Sequence, residues 1–179
     1  MDVLLHEGRA AAAWEHCEAA WGRVNRRSLL AVGIVALLAD WARARAAVAR
    51  ATEPVRDAGA PFRREALRMA RRIERIRGLP IAAPHGCLIR AAVAHQKGRA
   101  AEALGHLERA EAGFDQAGMM LYALAARRRR GELTGGDAGR DLVSAADAAM
   151  GERGVKAPER FAEVYAPGFA GRDAPESRL

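Results

Sequence analysis

Two stretches of this sequence repeat one spacing, and that spacing points to packed helical hairpins. The first is Gly8-Arg-Ala-Ala-Ala-Ala-Trp-Glu-His-Cys-Glu-Ala-Ala, and the second is Gly98-Arg-Ala-Ala-Glu-Ala-Leu-Gly-His-Leu-Glu-Arg-Ala. In each, a glycine precedes a small residue (Ala13, Ala103), then a core residue (Cys17, Leu107), then a second small residue (Ala20, Ala110). Glycine enters left-handed backbone at no steric cost, so it can close one helix before the next begins. Small residues on the second helix permit close approach to its partner, and the bulky residue between them fills the groove.

The rest of the chain agrees with helix throughout. Half of the 179 residues are hydrophobic and aromatics make up only 5%, so alanine carries much of the apolar share. Alanine is the strongest helix former and orders without side-chain entropy loss. Thr52 and Thr134 are the only threonines, and no window alternates with the period of a strand. The expected fold is all-α: seven or eight helices in antiparallel hairpins over residues 1–169, stacked as the short tetratricopeptide-like right-handed solenoid that the resemblance of the Gly8 and Gly98 segments to that repeat family implies. Residues 170–179 are small, charged and Pro-containing, and are expected to form a flexible tail.

Periodicity and helix breakers set the expected elements. Residues 1–7 are a short apolar lead-in. Helices are expected over 9–25 and 27–51. The second is apolar nearly all round in its first half, from Leu29 to Leu38, as in a helix packed on more than one side. Gly33 in its middle marks a close helix approach. The cleanest amphipath is 61–77, where Phe62, Ala66, Met69, Ala70, Ile73 and Ile76 form one stripe. Gly78, Pro80 and Pro84 then make a loop. Further helices are expected over 85–97, 99–117 and 119–130, the last closed by Gly131. Asp137 is a natural N-cap for a helix to Met150, and Pro158 opens a short last helix that buries Phe161, Val164 and Tyr165. With so few residues before Gly8, the first hairpin is expected to be incomplete, leaving an N-terminal core edge open to solvent or to self-association.

The glycine, alanine, bulky residue and alanine at these spacings resemble the second half of a tetratricopeptide repeat. The first-helix signature of that family is missing before Gly98, where Cys87, Arg90 and Ala91 stand, so the repeats are degenerate. The stretch from Pro80 to Phe169 has a more specific likeness. It runs Pro80-x-Ala-Ala-Pro84, the Gly98 hairpin, Ala-Gly-Phe114-Asp, Met120-x-Tyr122-Ala, the Arg127–Arg130 run with Gly131, and Gly-Gly-Asp137-x-Gly139-Arg. It ends in Pro158-Glu-Arg-Phe161-x-x-x-Tyr165-Ala-Pro167-Gly-Phe169. That order resembles the helical C-terminal region of large bacterial serine/threonine protein kinases of the myxobacterial type. The resemblance implies an interaction scaffold linked to signal transduction, without activity of its own.

No catalytic or cofactor-binding motif stands out. The Gly-rich loop, the Val-Ala-x-Lys strand, the His-Arg-Asp loop and Asp-Phe-Gly of a kinase are absent, as is a phosphate-cradling P-loop. Ser28, Ser144 and Ser177 lie outside any Gly-x-Ser-x-Gly elbow. His6, His16, His85, His95 and His106 lack zinc-site spacing, and Cys17 and Cys87 read as small buried hydrophobes in a reducing cytoplasm. Glu108 and Glu111, beside Arg109, read as a surface charge lattice. The longest apolar run, Leu29 to Ala39, is too short to span a bilayer.

The net charge is +7, nearly all of it arginine, since Lys97 and Lys156 are the only lysines. A GC-rich genome would write such residues on any solvated helix surface. If the charge has a partner, the candidate face is Arg64, Arg68, Arg71, Arg72 and Arg75 with Arg127, Arg128, Arg129 and Arg130, and its chemistry suits an acidic or phosphorylated protein segment. Nucleic acid is a weaker fit, because no interleaved aromatics or reading element accompany the arginines. The function expected is therefore a non-catalytic protein–protein interaction scaffold. The alternatives are an Arg-rich nucleic-acid binder and the remnant of a truncated kinase gene.

Overall fold

The computed structural model describes residues 2–21, 33–53 and 59–169. Among them the chain is all-helical, with nine helices and no strand. These are α1 (Asp2–His6), α2 (Ala10–Trp21), α3 (Gly33–Arg50), α4 (Gly59–Glu74), α5 (Ala82–Gln96), α6 (Ala100–Gln116), α7 (Met120–Thr134), α8 (Gly136–Glu152) and α9 (Pro158–Tyr165). From α1 to α8 each helix packs on the next, and α3 also touches α5. Between α5 and α8 the connections are only one to three residues long.

One backbone device closes four of these helices. Gly8, Gly98, Gly118 and Gly154 all have φ between 70° and 82°. In each case the residue after the glycine donates its N–H to a carbonyl five residues back: Arg9 to Leu4 at 2.8 Å, Arg99 to Ala94 at 3.0 Å, Met119 to Phe114 at 2.9 Å and Val155 to Met150 at 3.0 Å. This is the Schellman closure, which satisfies carbonyls that the helix end leaves open. The two turns read from sequence, Gly8 and Gly98, are members of this set.

The core is built from small residues. Ala66, Met69, Ala70 and Ile73 of α4 are fully buried, and Phe62 and Ile76 pack at its edge, so the predicted stripe faces inward. Its centre is aromatic. His85 sits edge-on between Trp41 at 4.7 Å and Phe114 at 4.9 Å, with Tyr122 at 5.2 Å. Burial drops the His85 pKa to about 4, while a 2.6 Å contact from its Nδ1 to the Ile81 carbonyl acts in the opposite direction.

Several boundaries differ from those expected, each for a steric reason. Pro84 lies inside the first turn of α5, where a missing N–H costs nothing, so the loop is shorter than the prolines imply. Helix α7 runs through Gly131 to Thr134 instead of stopping there. A side chain at Gly131 would lie 2.7 Å from the Gly139 carbonyl oxygen, so this glycine serves the α7–α8 contact and not a turn. The N-cap of α8 is Gly135, at φ 65°, and Asp137 lies in the first turn, paired with Arg140. Residues 2–6, within the short apolar lead-in, form a helix of their own. Helix α3 is less enclosed than its composition implies, since Ile34 and Leu38 are exposed. Gly33 does mark a close approach: a Cβ there would meet the Ile76 side chain at 3.3 Å. Leu29 and Leu30, the start of the helix expected from 27, and the tail expected after Phe169 lie outside the described residues.

Candidate functional site

The repeat residues occupy the positions their spacing suggests. Ala13, Ala103, Leu107 and Ala110 have no solvent exposure and Cys17 is buried, while Ala20 is half-buried. Burial pushes the Cys17 and Cys87 thiols above their usual range. His16 is exposed beside the buried Cys17, because adjacent helical residues face different sides. Among the described residues no three His, Cys, Asp or Glu side chains converge as metal ligands. A shallow depression of about 770 Å³ between α7 and α8 is lined by Gly131, Gly139, Val143, Ser144 and Asp147, and Asp147 there is paired with Arg128 at 2.8 Å.

The structure does not bring the candidate arginines together as one face. Arg64 and Arg71 are exposed on α4 and Arg75 just after its end, and Arg68 on α4 binds Glu65 at 2.7 Å. Arg72 points inward to the buried Asp40 at 3.0 Å. The run on α7 is consumed internally. Arg127 and Arg130 both hold Glu111 of α6, at 2.7 and 3.3 Å. Arg128 pairs with Asp147 and Glu132, and Arg129 with Glu132 at 2.7 Å. Glu111 is therefore a buried clamp between α6 and α7 rather than part of a surface lattice. A run of four helical arginines must point in several directions, so its members cannot share one face.

A different constellation emerges on the face made by α1, α3, α5 and α7. The last described segment, residues 158–169, lies across it. Leu5 of α1 clusters with Val164, and α9 packs on α1, α7 and α8. Three side chains from three helices donate to the segment's main chain. Arg45 of α3 reaches the Val164 carbonyl at 2.9 Å, Arg129 of α7 the Ala166 carbonyl at 3.0 Å, and Gln96 of α5 the Gly168 carbonyl at 3.2 Å. Gln96 also binds the Val48 carbonyl at 2.9 Å. Phe169 is buried, stacked on His95 at 5.4 Å, with the Arg129 guanidinium 5.6 Å from its ring. Tyr165 packs on Phe161 and Tyr122.

Both arginines are balanced without the segment. Arg45, whose side chain is 6% exposed, is paired to Asp2 at 2.8 Å, and Arg129, 7% exposed, is paired to Glu132. A buried arginine without a counter-charge would be costly; these two are held in place by acids on α1 and α7, leaving further N–H groups free to meet main-chain carbonyls. Sequence reasoning placed Arg129 on a surface and left out Arg45 and Gln96. The only local signal was Tyr165-Ala-Pro-Gly-Phe169, a run too irregular to continue the helix.

Among the described residues, no helix is long and apolar enough to cross a membrane. Comparison with protein-family models, with characterised proteins and with solved structures finds no match to this chain.

Proposed function

We propose that this chain is a non-catalytic protein–protein interaction scaffold: a short, degenerate tetratricopeptide-like right-handed solenoid whose α1–α3–α5–α7 face receives a segment of another protein. The observation that carries this reading is the set of donors, the buried Arg45 and Arg129 and the half-buried Gln96, aimed at main-chain carbonyls across that face. Donors that address the backbone hold a segment whatever its side chains, while neighbouring pockets select among sequences. Stacked helical hairpins suit this task, because each added hairpin extends the same face. The likeness to kinase C-terminal regions supports a role in signal transduction, where such a scaffold would bring a substrate or regulator to a catalytic domain.

A pull-down from the native host, with this chain as bait at two salt concentrations, tests the reading. Specific proteins should remain bound at high salt and be lost with an Arg45→Ala, Arg129→Ala double variant. Recovery of nucleic acid alone, with a steep fall as salt rises, would instead favour an electrostatic binder.

A further inference from the structure

Exposed arginine gathers in one row on α4 without the acids that accompany it elsewhere. Residues 59–77 hold seven arginines against two glutamates, most of the chain's net charge of +7. Arg64, Arg68 and Arg71 are exposed on α4, and Arg75 follows in the turn that closes it, its N–H bonded to the Arg72 carbonyl at 3.2 Å. At 3.6 residues per turn these four stand within an arc of about 60° and over about 16 Å of helix axis. The buried stripe of Ala66, Met69 and Ile73 lies on the opposite side. In other parts of the chain Arg9, Arg99, Arg140 and Arg160 are exposed beside an acid of their own: Glu7, Glu102, Asp137 and Glu163. Among the described residues no acid pairs with Arg64, Arg71 or Arg75. Like charges three and four residues apart on a helix repel one another, so the row is unfavourable until it is neutralised from outside.

We propose that this row docks an acidic helix of a partner protein, one that carries carboxylates at i, i+4, i+7 and i+11. Such a helix laid along α4 repeats the spacing of the arginines, so each guanidinium meets one carboxylate. The spacing reads the same in both directions, so either orientation of the partner fits. Neighbouring acids set the width of the row. Glu65 borders it on one side, held by Arg43 at 2.6 Å and Arg68 at 2.7 Å. Glu74 borders it on the other, held by two nitrogens of Arg90 at 2.7 and 2.8 Å. Both carboxylates keep part of their side chain in solvent. A broad polyanion, such as a nucleic-acid duplex or an anionic membrane, would bring its charge over them, whereas a single acidic row would not. Insertion into a membrane is also closed to α4, because its apolar face is spent in the core. The row belongs to a helix outside the α1–α3–α5–α7 face, so this docking surface stands independently of the segment-binding reading.

The test uses the full chain and a fluorescent helical peptide with glutamates at those four positions in an alanine and glutamine background, read by anisotropy at low salt. The wild-type chain should bind it about tenfold more tightly than an isomer whose glutamates are spread around the helix, since each exposed pair adds only a little. Binding should weaken as salt rises. Arg64→Gln with Arg71→Gln and Arg75→Gln should lose about tenfold in affinity. Arg9→Gln with Arg140→Gln and Arg160→Gln removes the same net charge from paired sites and should leave the affinity unchanged. All six side chains are exposed, so both triple variants should keep the wild-type circular dichroism. Replacing the peptide's glutamates by glutamines tests the same contact on the unaltered chain, should the first variant fail to fold, and should abolish binding. Equal binding of the two isomers, equal losses in the two triple variants, or no binding of either peptide overturns the proposal. So does a duplex oligonucleotide, or a vesicle of phosphatidylcholine and phosphatidylserine, that binds more tightly than the peptide and is lost in the Arg64, Arg71 and Arg75 variant, since the occupant would then be nucleic acid or membrane. The α4 variant leaves Arg45 and Arg129 in place, so failure here does not touch the pull-down that tests the other face.

Discussion

The same substitution should have opposite effects at two helical glycines, because only one of them lies at a helix crossing. Gly131 is in α7 and Gly105 in α6, both within helix and both without positive φ. Glycine to alanine in a helix interior stabilises by about 1 kcal/mol from backbone entropy alone. At Gly105 a new Cβ meets nothing within 4 Å, so the propensity gain should appear in full. At Gly131 the Cβ would lie 2.7 Å from the Gly139 carbonyl oxygen, 2.9 Å from Val143 Cγ2 and 3.0 Å from Leu142 Cβ. The nearest of these is main chain and cannot swing away, so α8 must move as a unit. Overpacking of this kind costs about 2–3 kcal/mol, which outweighs the helix term and leaves a net loss of about 1–2 kcal/mol. For a chain of this length each kcal/mol shifts the melting temperature by about 2–4 °C. Thermal melts followed at 222 nm should therefore show Gly105→Ala up by about 2–4 °C and Gly131→Ala down by about 2–8 °C. A neutral or stabilising Gly131→Ala would refute the close α7–α8 crossing, and with it the reason that α7 passes through this glycine.

Three further outcomes follow from the interior. Ala103→Leu adds bulk to a fully buried hairpin position and should cost about 1–3 kcal/mol in urea unfolding; an unchanged midpoint would mean the repeat spacing does not mark close packing. Glu111→Ala leaves Arg127 and Arg130 without their shared acid and should destabilise by about 1–3 kcal/mol, discounted for the partial exposure of both arginines, whereas Asp137→Ala at the exposed Arg140 pair should be unmeasurable by the same assay. His85, held neutral to about pH 4 by burial, takes up its proton near 6.5 only when unfolded. The unfolded state thus binds more protons across that window, so this contribution is fully present above pH 6.5. It is lost as the pH falls toward 4, by about 3 kcal/mol in all. Urea midpoints measured across the window should lose most of this slope in His85→Phe; an unaltered slope would mean His85 is not the group responsible.

Short-range pattern was enough for the helices and for the turns at Gly8 and Gly98, because a helix is written in local periodicity and a Schellman closure needs only one residue tolerant of positive φ. The inward stripe of α4 was legible for the same reason. What the pattern could not carry was where the charges go. Arg127 to Arg130 look like a surface run, yet their acids sit on α6, α7 and α8, and only the packing of those helices brings Glu111 and Asp147 into reach. Gly131 likewise looks like a stop until another helix lies against it.

The candidate site belongs wholly to this second kind of information. Arg45, Gln96 and Arg129 stand on three different helices, and they meet at residues 164–168 because the chain turns back after α8 and lays residues 158–169 across them. Sequence by itself determined that this protein is helical, that Gly8 and Gly98 close helices and that the α4 stripe faces inward, since each depends on residues a few positions apart. The tertiary structure alone decided that Arg45, Gln96 and Arg129 address the main chain of residues 164–168, since that depends on side chains far apart in sequence being held at hydrogen-bond distance by the packed helices between them.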